Sequence, residues 1–380
     1  MEMISLLKTM IEKEANALLI IPEAQPLLKL PHDKVLRLQP TYTVEKTAEL
    51  ILSLMNEAQQ NEFIQNLEGN FSITVENVGR FNFSTFISRG NMGCVIKPIK
   101  IKIPSFEQLN LPSVLKTLAM TKSGVILVAG LSGMGKTTTL ASLVGYRNAT
   151  GQGHIITIED EIEYLHKNHQ CIVTQREIGT DTTSITVALQ NARKQSPDMI
   201  QIGELKSAPK LDYAFWQANT GCLCLATDSS GSVYQTLDRI SSWYPVNMRT
   251  SLWMNLSQHL KAIIAQRLVP AAEDEKTLLV TEILINTPLI ADRLRYGDFH
   301  SLKEYMARKN TQGMHTFDQD LFNLLQLDKI SYHTALRYAD SQEILKKMIK
   351  QKSEQQGYGL NRSSDKPVFL FQSDRKLSDQ

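Results

Sequence analysis

An apolar run, Val125-Ile-Leu-Val-Ala, leads directly into Gly130-Leu-Ser-Gly-Met-Gly-Lys-Thr137, and Lys136 to Tyr146 then continues without proline or an early glycine. The octet fits G-x-x-x-x-G-K-[ST], a pattern that works as the turn between a buried strand and a helix. Glycines 130, 133 and 135 let the backbone curl so that successive N–H groups point inward at phosphate oxygens, and the helix N-terminus adds partial positive charge. The expected binding residues are Gly130, Ser132, Gly133, Met134, Gly135, Lys136, Thr137 and Thr138. Lys136 would reach the β- and γ-phosphates, and the Thr137 hydroxyl would ligate magnesium, so ATP and Mg2+ are the expected cofactors.

Such a turn demands an α/β fold, and the chain beyond about residue 106 has that texture. His154-Ile-Ile-Thr-Ile, Met199-Ile-Gln-Ile and Cys222-Leu-Cys-Leu-Ala are strand-length apolar runs separated by helical patterns, as in a parallel, helix-covered sheet. Upstream the elements are shorter. Ile4, Leu7 and Ile11 sit at helical spacing, Leu18 to Ile21 is an apolar run, and a helix is expected from about Val44 to Leu67. Asn70 to Val75 and Gly79 to Ile87 alternate like half-buried antiparallel strands. Lys97-Pro-Ile-Lys-Ile-Lys-Ile-Pro-Ser105, with prolines near both ends, reads as an extended linker. The expected division is an α+β domain over 1–100, a linker over 101–110, an α/β core over 111–300, a helical segment over 301–350 and a disordered polar tail over 351–380.

Charge excludes several functions. Lysine and arginine number 41 against 39 acids, a net charge of +2, so no long-range field draws the chain to nucleic acid or an anionic membrane. No apolar stretch approaches the roughly 18 residues of a membrane span. Cys94, Cys171, Cys222 and Cys224 form no C-x-x-C pair and read as reduced, buried thiols of a cytosolic protein. Trp216, Trp243 and Trp253 read as packing residues, and His166 and His169 as part of a surface helix.

Phosphoryl chemistry also needs acids. Glu204 ends the run Ile200-Gln-Ile-Gly-Glu, and Glu159, Asp160, Glu161 and Glu163 follow another strand of the same expected sheet. The C-terminal ends of parallel strands are where such sheets place their ligands. At these residues the chain resembles a known family. Gly130 to Tyr146, Thr157-Ile-Glu-Asp-Glu-Ile-Glu-Tyr, Ile172-Val-Thr-Gln-Arg-Glu, Ile202-Gly-Glu, Cys224-Leu-Ala-Thr, Leu237-Asp-Arg-Ile and Ala265-Gln-Arg-Leu-Val-Pro resemble the type IV pilus retraction ATPases, the PilT/PilU family. Asn286-Thr-Pro-Leu-Ile-Ala-Asp and Tyr338-Ala-Asp-Ser extend the likeness, and Met120-Thr-Lys and Gly145-Tyr-Arg-Asn point to its PilU-like branch.

The resemblance implies a secretion-type (GspE-like) ATPase with a PAS-like N-terminal domain and a RecA-like core, assembled as a homo-hexamer that assists pilus retraction and twitching motility. Glu163 would polarise the attacking water and Glu204 would lie at the magnesium. Implied partners are a PilT-like retraction ATPase and the inner-membrane pilus platform, with the chain cytoplasmic and peripheral, and with no direct nucleic acid. The sequence also departs from the family. The segment resembling G-H-L-C-L-A-T-L-H-A-N-N reads Gly221-Cys-Leu-Cys-Leu-Ala-Thr-Asp-Ser-Ser-Gly-Ser232, with Cys222 and Ser229 in place of histidines. Lys206, Asn82, Lys97 and Ser123 stand where arginines are usual, Asn82 at a position expected to reach toward the phosphates. Fewer cations imply that nucleotide affinity survives better than turnover, or that the chain is an accessory ring component with little hydrolysis of its own.

Overall fold

The computed structural model describes residues 2–31, 34–272, 276–308 and 313–355. The N-terminal part comprises α1 (Glu2–Glu12), β1 (Ala17–Ile20), β2 (Leu27–Lys29), β3 (Val35–Arg37), α2 (Val44–Leu52), α3 (Glu57–Asn66), β4 (Glu68–Val75), β5 (Gly79–Ser88) and β6 (Asn91–Ile99). Its six strands pair antiparallel in the order β3-β2-β1-β6-β5-β4. Phe71 and Phe83 stack on one face of this sheet, over a core that also takes Met3, Leu7 and Met10 from α1.

The second part runs through α4 (Val114–Ala119), β7 (Gly124–Ala129), α5 (Lys136–Thr150), β8 (Gly153–Glu159), β9 (Cys171–Glu177), α6 (Ile185–Ala192) and β10 (Met199–Glu204). It continues with α7 (Ala208–Asn219), β11 (Leu223–Asp228), α8 (Val233–Ser242), α9 (Arg249–His259), β12 (Leu260–Pro270), β13 (Thr277–Ile285) and α10 (Pro288–Arg295). The sheet order is β13-β12-β7-β11-β10-β8-β9, parallel throughout except for the antiparallel edge strand β13. Every residue of β7 is buried, and its side chains alternate between two cores. Val125, Leu127 and Ala129 join α6 to α9 on one face, while Ile126 and Val128 join α4 and α5 on the other. A strand covered on both faces has no use for polar residues, which is why the run reads as continuously apolar.

Four helices close the described chain: α11 (Leu302–Met306), α12 (Phe317–Gln326), α13 (Tyr332–Tyr338) and α14 (Gln342–Gln355). They pack through Phe317, Leu321 and Leu345 into the larger core and are tied to β13 by Thr281 N, which donates to Asp320 Oδ2 at 2.7 Å.

The α/β core with its antiparallel N-terminal sheet and helical end agrees with the expected fold class, and several local expectations are corrected. The helix expected over 44–67 is two, because Asn56 caps α3 with a capping box and the chain turns before it. In α1 the buried face is Met3, Leu6, Leu7 and Met10, with Ile4 and Ile11 exposed, since a sheet covers the methionine side of that helix. Lys97 to Ile99 belong to β6, paired with Asn82 to Arg80, so the extended connection starts after Ile99. Pro98 is accommodated opposite Phe81. Helix α14 continues to Gln355, five residues into the stretch expected as tail; residues 356–380, the rest of that expected tail, lie outside the described residues. All four cysteines are buried thiols.

The two sheets meet at the acidic segment after β8. Asn82 Nδ2 donates to Ile162 O (3.0 Å) and Glu161 Oε1 (3.1 Å), and Lys97 Nζ pairs with Glu161 Oε2 at 2.8 Å. The Ser72 hydroxyl lies 2.7 Å from Asn82 Oδ1 and 3.0 Å from Glu177 Oε1, and can donate to one of them. Asn82 is buried, so its loss strands a buried carbonyl. Asn82→Ala is expected to destabilise the chain by about 1–3 kcal/mol in urea unfolding, whereas Ala at the exposed Ser84 on the same strand changes it by less than about 0.5 kcal/mol.

Candidate functional site

The phosphate loop is shaped from below by β12. Gly130 N donates to Asp228 O at 3.1 Å as the chain leaves β7. A Cβ at Gly130 would stand 2.9 Å from the Gln266 carbonyl oxygen, so that close approach requires glycine. Gly133 and Gly135 hold φ of 79° and 78°, the left-handed region that curls the loop. Gln266 is fully buried on β12, and its Nε2 donates to Met134 O at 2.6 Å. Gly135 is the N-cap of α5 and brings no capping side chain, leaving the first turn of the helix open to a ligand anion.

Lys136 Nζ donates to Gly130 O (2.6 Å) and Leu131 O (3.0 Å), arched over the loop. Burial pushes its pKa down, while the negative charges of Glu204, Asp228 and Glu163 push it up. Glu163 is exposed by surface area; desolvation raises its pKa, Glu161 adds to the rise, and Thr137, Lys100 and Lys97 oppose it. Its backbone is fixed by Lys100 N, which donates to Glu163 O at 2.8 Å. Glu204 ends β10 after a register shift at Gly203, and faces Lys206 Nζ at 3.5 Å. Ser132 and Gly133 form the exposed tip of the loop, and Thr138 Oγ1 lies 3.0 Å from Tyr164 OH.

The other acids after β8 do different work. Glu159 is buried, accepts from Thr157 Oγ1 at 2.6 Å, and has its pKa pushed up to about 7 by that burial. Asp160 is exposed, and Glu161 faces the N-terminal sheet. Asn82, which stands where the family's arginine is expected to reach toward the phosphates, bonds instead to Glu161 and Ile162 of its own chain. His166 and His169 lie in the irregular segment between β8 and β9 and not on a helix. His166 is half-buried, with a buried Nδ1 that finds no partner among the described residues, and desolvation lowers its pKa to about 4. Cys222 is buried in the core, and Ser229 accepts a hydrogen bond from Arg239 Nη1.

Sequence reasoning passed over Gln266, Asp228, Arg239 and Glu177. Two carried a signal: Gln266 interrupts the apolar run Ala262-Ile-Ile-Ala, and Asp228 closes an otherwise uncharged strand. The pairing of Arg239 with Asp228 and of Glu177 with Ser72 had none, because each joins residues distant in sequence.

A curled glycine loop, an open helix N-terminus and a lysine form a cradle that fits a nucleotide's phosphates. Among the described residues no three His, Cys, Asp or Glu side chains gather as a metal site. The Thr137 hydroxyl and the Glu204 carboxylate are nevertheless the oxygen donors that magnesium takes when phosphate oxygens complete its shell.

Comparison with known proteins gives a consistent assignment. Residues 87–356 match the profile of the type II/IV secretion system protein family. The chain is 44% identical to the type IV pilus ATPase PilU of Pseudomonas aeruginosa, over 97% of this chain and 99% of that one. It is 31% identical to the type IV pilus retraction ATPase PilT of the same organism, over 88% of this chain and 97% of that one. A crystal structure of the pilus retraction motor PilT with bound ADP superposes with a TM-score of 0.84 at 32% identity, covering 91% of this chain and 99% of that one.

The raised pKa of Glu159 makes a test of the site's electrostatics. Its folded-state value near 7 lies above the ordinary 4.5, so the folded chain holds the proton more tightly than the unfolded one. The associated stability is fully present below about pH 4.5 and is lost as pH rises through 7. Relative to Glu159→Gln, the wild type is expected to lose about 3 kcal/mol across that window. Urea unfolding at a series of pH values measures it, and parallel curves for the two proteins refute it.

Proposed function

Because this chain belongs to the type II/IV secretion system protein family and to the PilT/PilU pilus ATPases within it, we propose that it is the PilU-like ATP-hydrolysing subunit of a type IV pilus retraction machine. What supports the chemistry is the sheet topology: Lys136 and Thr137 follow β7, Glu163 follows β8 and Glu204 ends β10, all beyond the C-terminal ends of parallel strands of one sheet. The loop N–H groups and Lys136 bind and orient the phosphates of ATP. Thr137 and Glu204 hold magnesium, which supplies charge neutralisation on the phosphoryl oxygens when bound. Glu163, its backbone fixed by Lys100 and its side chain open to solvent, orients the attacking water and draws on its proton.

Retraction asks for a moving part and a partner. The N-terminal sheet is attached beside Glu163 through Lys100 and through the Asn82, Lys97 and Glu161 contacts, so rearrangement at the site reaches that sheet directly. In a homo-hexamer, ATP binding would close the N-terminal domain (residues 1–100, joined by the 101–110 connection) of one subunit over the core of its neighbour. Hydrolysis would reopen that contact, and sequential closure around the ring becomes displacement. A PilT-like ATPase and the inner-membrane platform of the pilus are the partners, which places the chain in the cytoplasm, peripheral to the inner membrane. No helix among the described residues is long and apolar enough to cross a membrane.

A second reading is favoured by the cations. Cys222 and Ser229 cannot carry positive charge, and Lys206, engaged with Glu204, lacks the planar fork of an arginine. An accessory ring subunit that binds ATP and hydrolyses it poorly alone fits those substitutions. Binding of a fluorescent ATP analogue separates the roles of the residues. Lys136→Ala is expected to weaken it by at least about a hundredfold, and Glu163→Gln to leave it within about threefold while phosphate release falls by about 10² to 10⁴. Undiminished affinity in Lys136→Ala refutes the phosphate-loop assignment, and undiminished phosphate release in Glu163→Gln refutes the role of that glutamate.

A further inference from the structure

Strand β11 lies between β7, which feeds the phosphate loop, and β10, which ends on Glu204. Its last residue pairs with Ala129, directly before the loop, and its carbonyl accepts from Gly130 N at 3.1 Å. That residue is Asp228, where the family's segment carries leucine. It is completely buried. Its Oδ1 accepts from Ser230 N at 2.8 Å, while its Oδ2 finds no hydrogen-bond partner among the described residues and faces Arg239 Nη1 at 3.5 Å. The same guanidinium nitrogen donates to the Ser229 hydroxyl, and the guanidinium lies 5.8 Å from the centre of the Trp243 ring. Arg239 belongs to the shared segment Leu237-Asp-Arg-Ile, so a familiar arginine here meets an unfamiliar carboxylate.

We propose that Asp228 sets the site's preference between nucleoside di- and triphosphate, disfavouring the triphosphate. A buried carboxylate is poorly screened by salt and water, and it repels a triphosphate, with its added negative charge, more than a diphosphate. By holding Arg239, it also keeps that guanidinium from serving the terminal phosphate. The bond from Gly130 N to Asp228 O sets this end of β11 against the start of the phosphate loop, and the negative charge of Asp228 acts on Lys136 of that loop. Leucine at 228 would carry no charge and would leave Arg239 free. The inference rests on the reading of the loop as an adenine-nucleotide site and adds to it the residue that discriminates the bound state.

The test is the ratio of dissociation constants for ADP and a non-hydrolysable ATP analogue, each displacing fluorescent ADP from the full chain. Asp228→Asn and Asp228→Leu are expected to shift that ratio toward the triphosphate by about tenfold while ADP affinity changes by less than about threefold. Arg239→Gln, which leaves Asp228 without its cation, is expected to shift it toward the diphosphate. A merely structural role would weaken both nucleotides together and leave the ratio unchanged. A ratio unchanged in the isosteric Asp228→Asn, or shifted toward the triphosphate in Arg239→Gln, overturns the proposal while leaving the nucleotide reading intact. A wild-type chain that binds neither nucleotide overturns both.

Discussion

The buried side chain of Gln266 carries the phosphate loop. It sits on β12, next to the strand that feeds the loop, and reaches across to the Met134 carbonyl while its own backbone presses against Gly130. Burying an amide costs stability unless its donor is paired, and the Nε2 bond to Met134 O offsets part of that cost while Oε1 finds no partner among the described residues, so the strand is tied to the loop through the donor. From that support the rest of the site follows. The loop aims the start of α5, and α5 carries Lys136 and Thr137.

The acidic segment after β8 is where the site and the N-terminal sheet share residues. Glu163 faces the loop, while Glu161, two positions earlier, faces Asn82 and Lys97 on the other sheet. Glu159, buried between Thr157 and Gln175, anchors the start of the segment. Four acids that look interchangeable in the sequence thus differ in environment, from buried Glu159 through half-buried Glu161 to exposed Asp160 and Glu163. A displacement of this segment by a bound nucleotide would be felt at the antiparallel sheet without any further lever, which is the physical basis for coupling hydrolysis to movement.

Local signals made much of this legible. The phosphate loop, the buried strands on either side of it and Glu204 at a strand end all follow from patterns within a dozen residues, and the structure places them together. Less legible were features decided by tertiary partners. Which side of α1 is buried depends on the sheet that covers it, and the strand character of Lys97 to Ile99 depends on pairing with Arg80 to Asn82 despite Pro98. Short strands such as β2 and β3, three residues each, exist because β1 lies beside β2 and β2 beside β3, and not because their own sequence alternates. The environment of Asp228 needed both the sheet order and the return of α8, which brings Arg239 back to the strand it follows.

The central claim is that one sheet edge assembles a magnesium-dependent ATP hydrolase from Lys136, Thr137, Glu163 and Glu204. Phosphate release from ATP by the purified full-length chain, measured with magnesium and again with the metal chelated, addresses it most directly. Release that saturates with ATP, requires magnesium and rises when a PilT-like partner is added is the predicted result. Absence of magnesium-dependent release, both alone and with that partner, would contradict it.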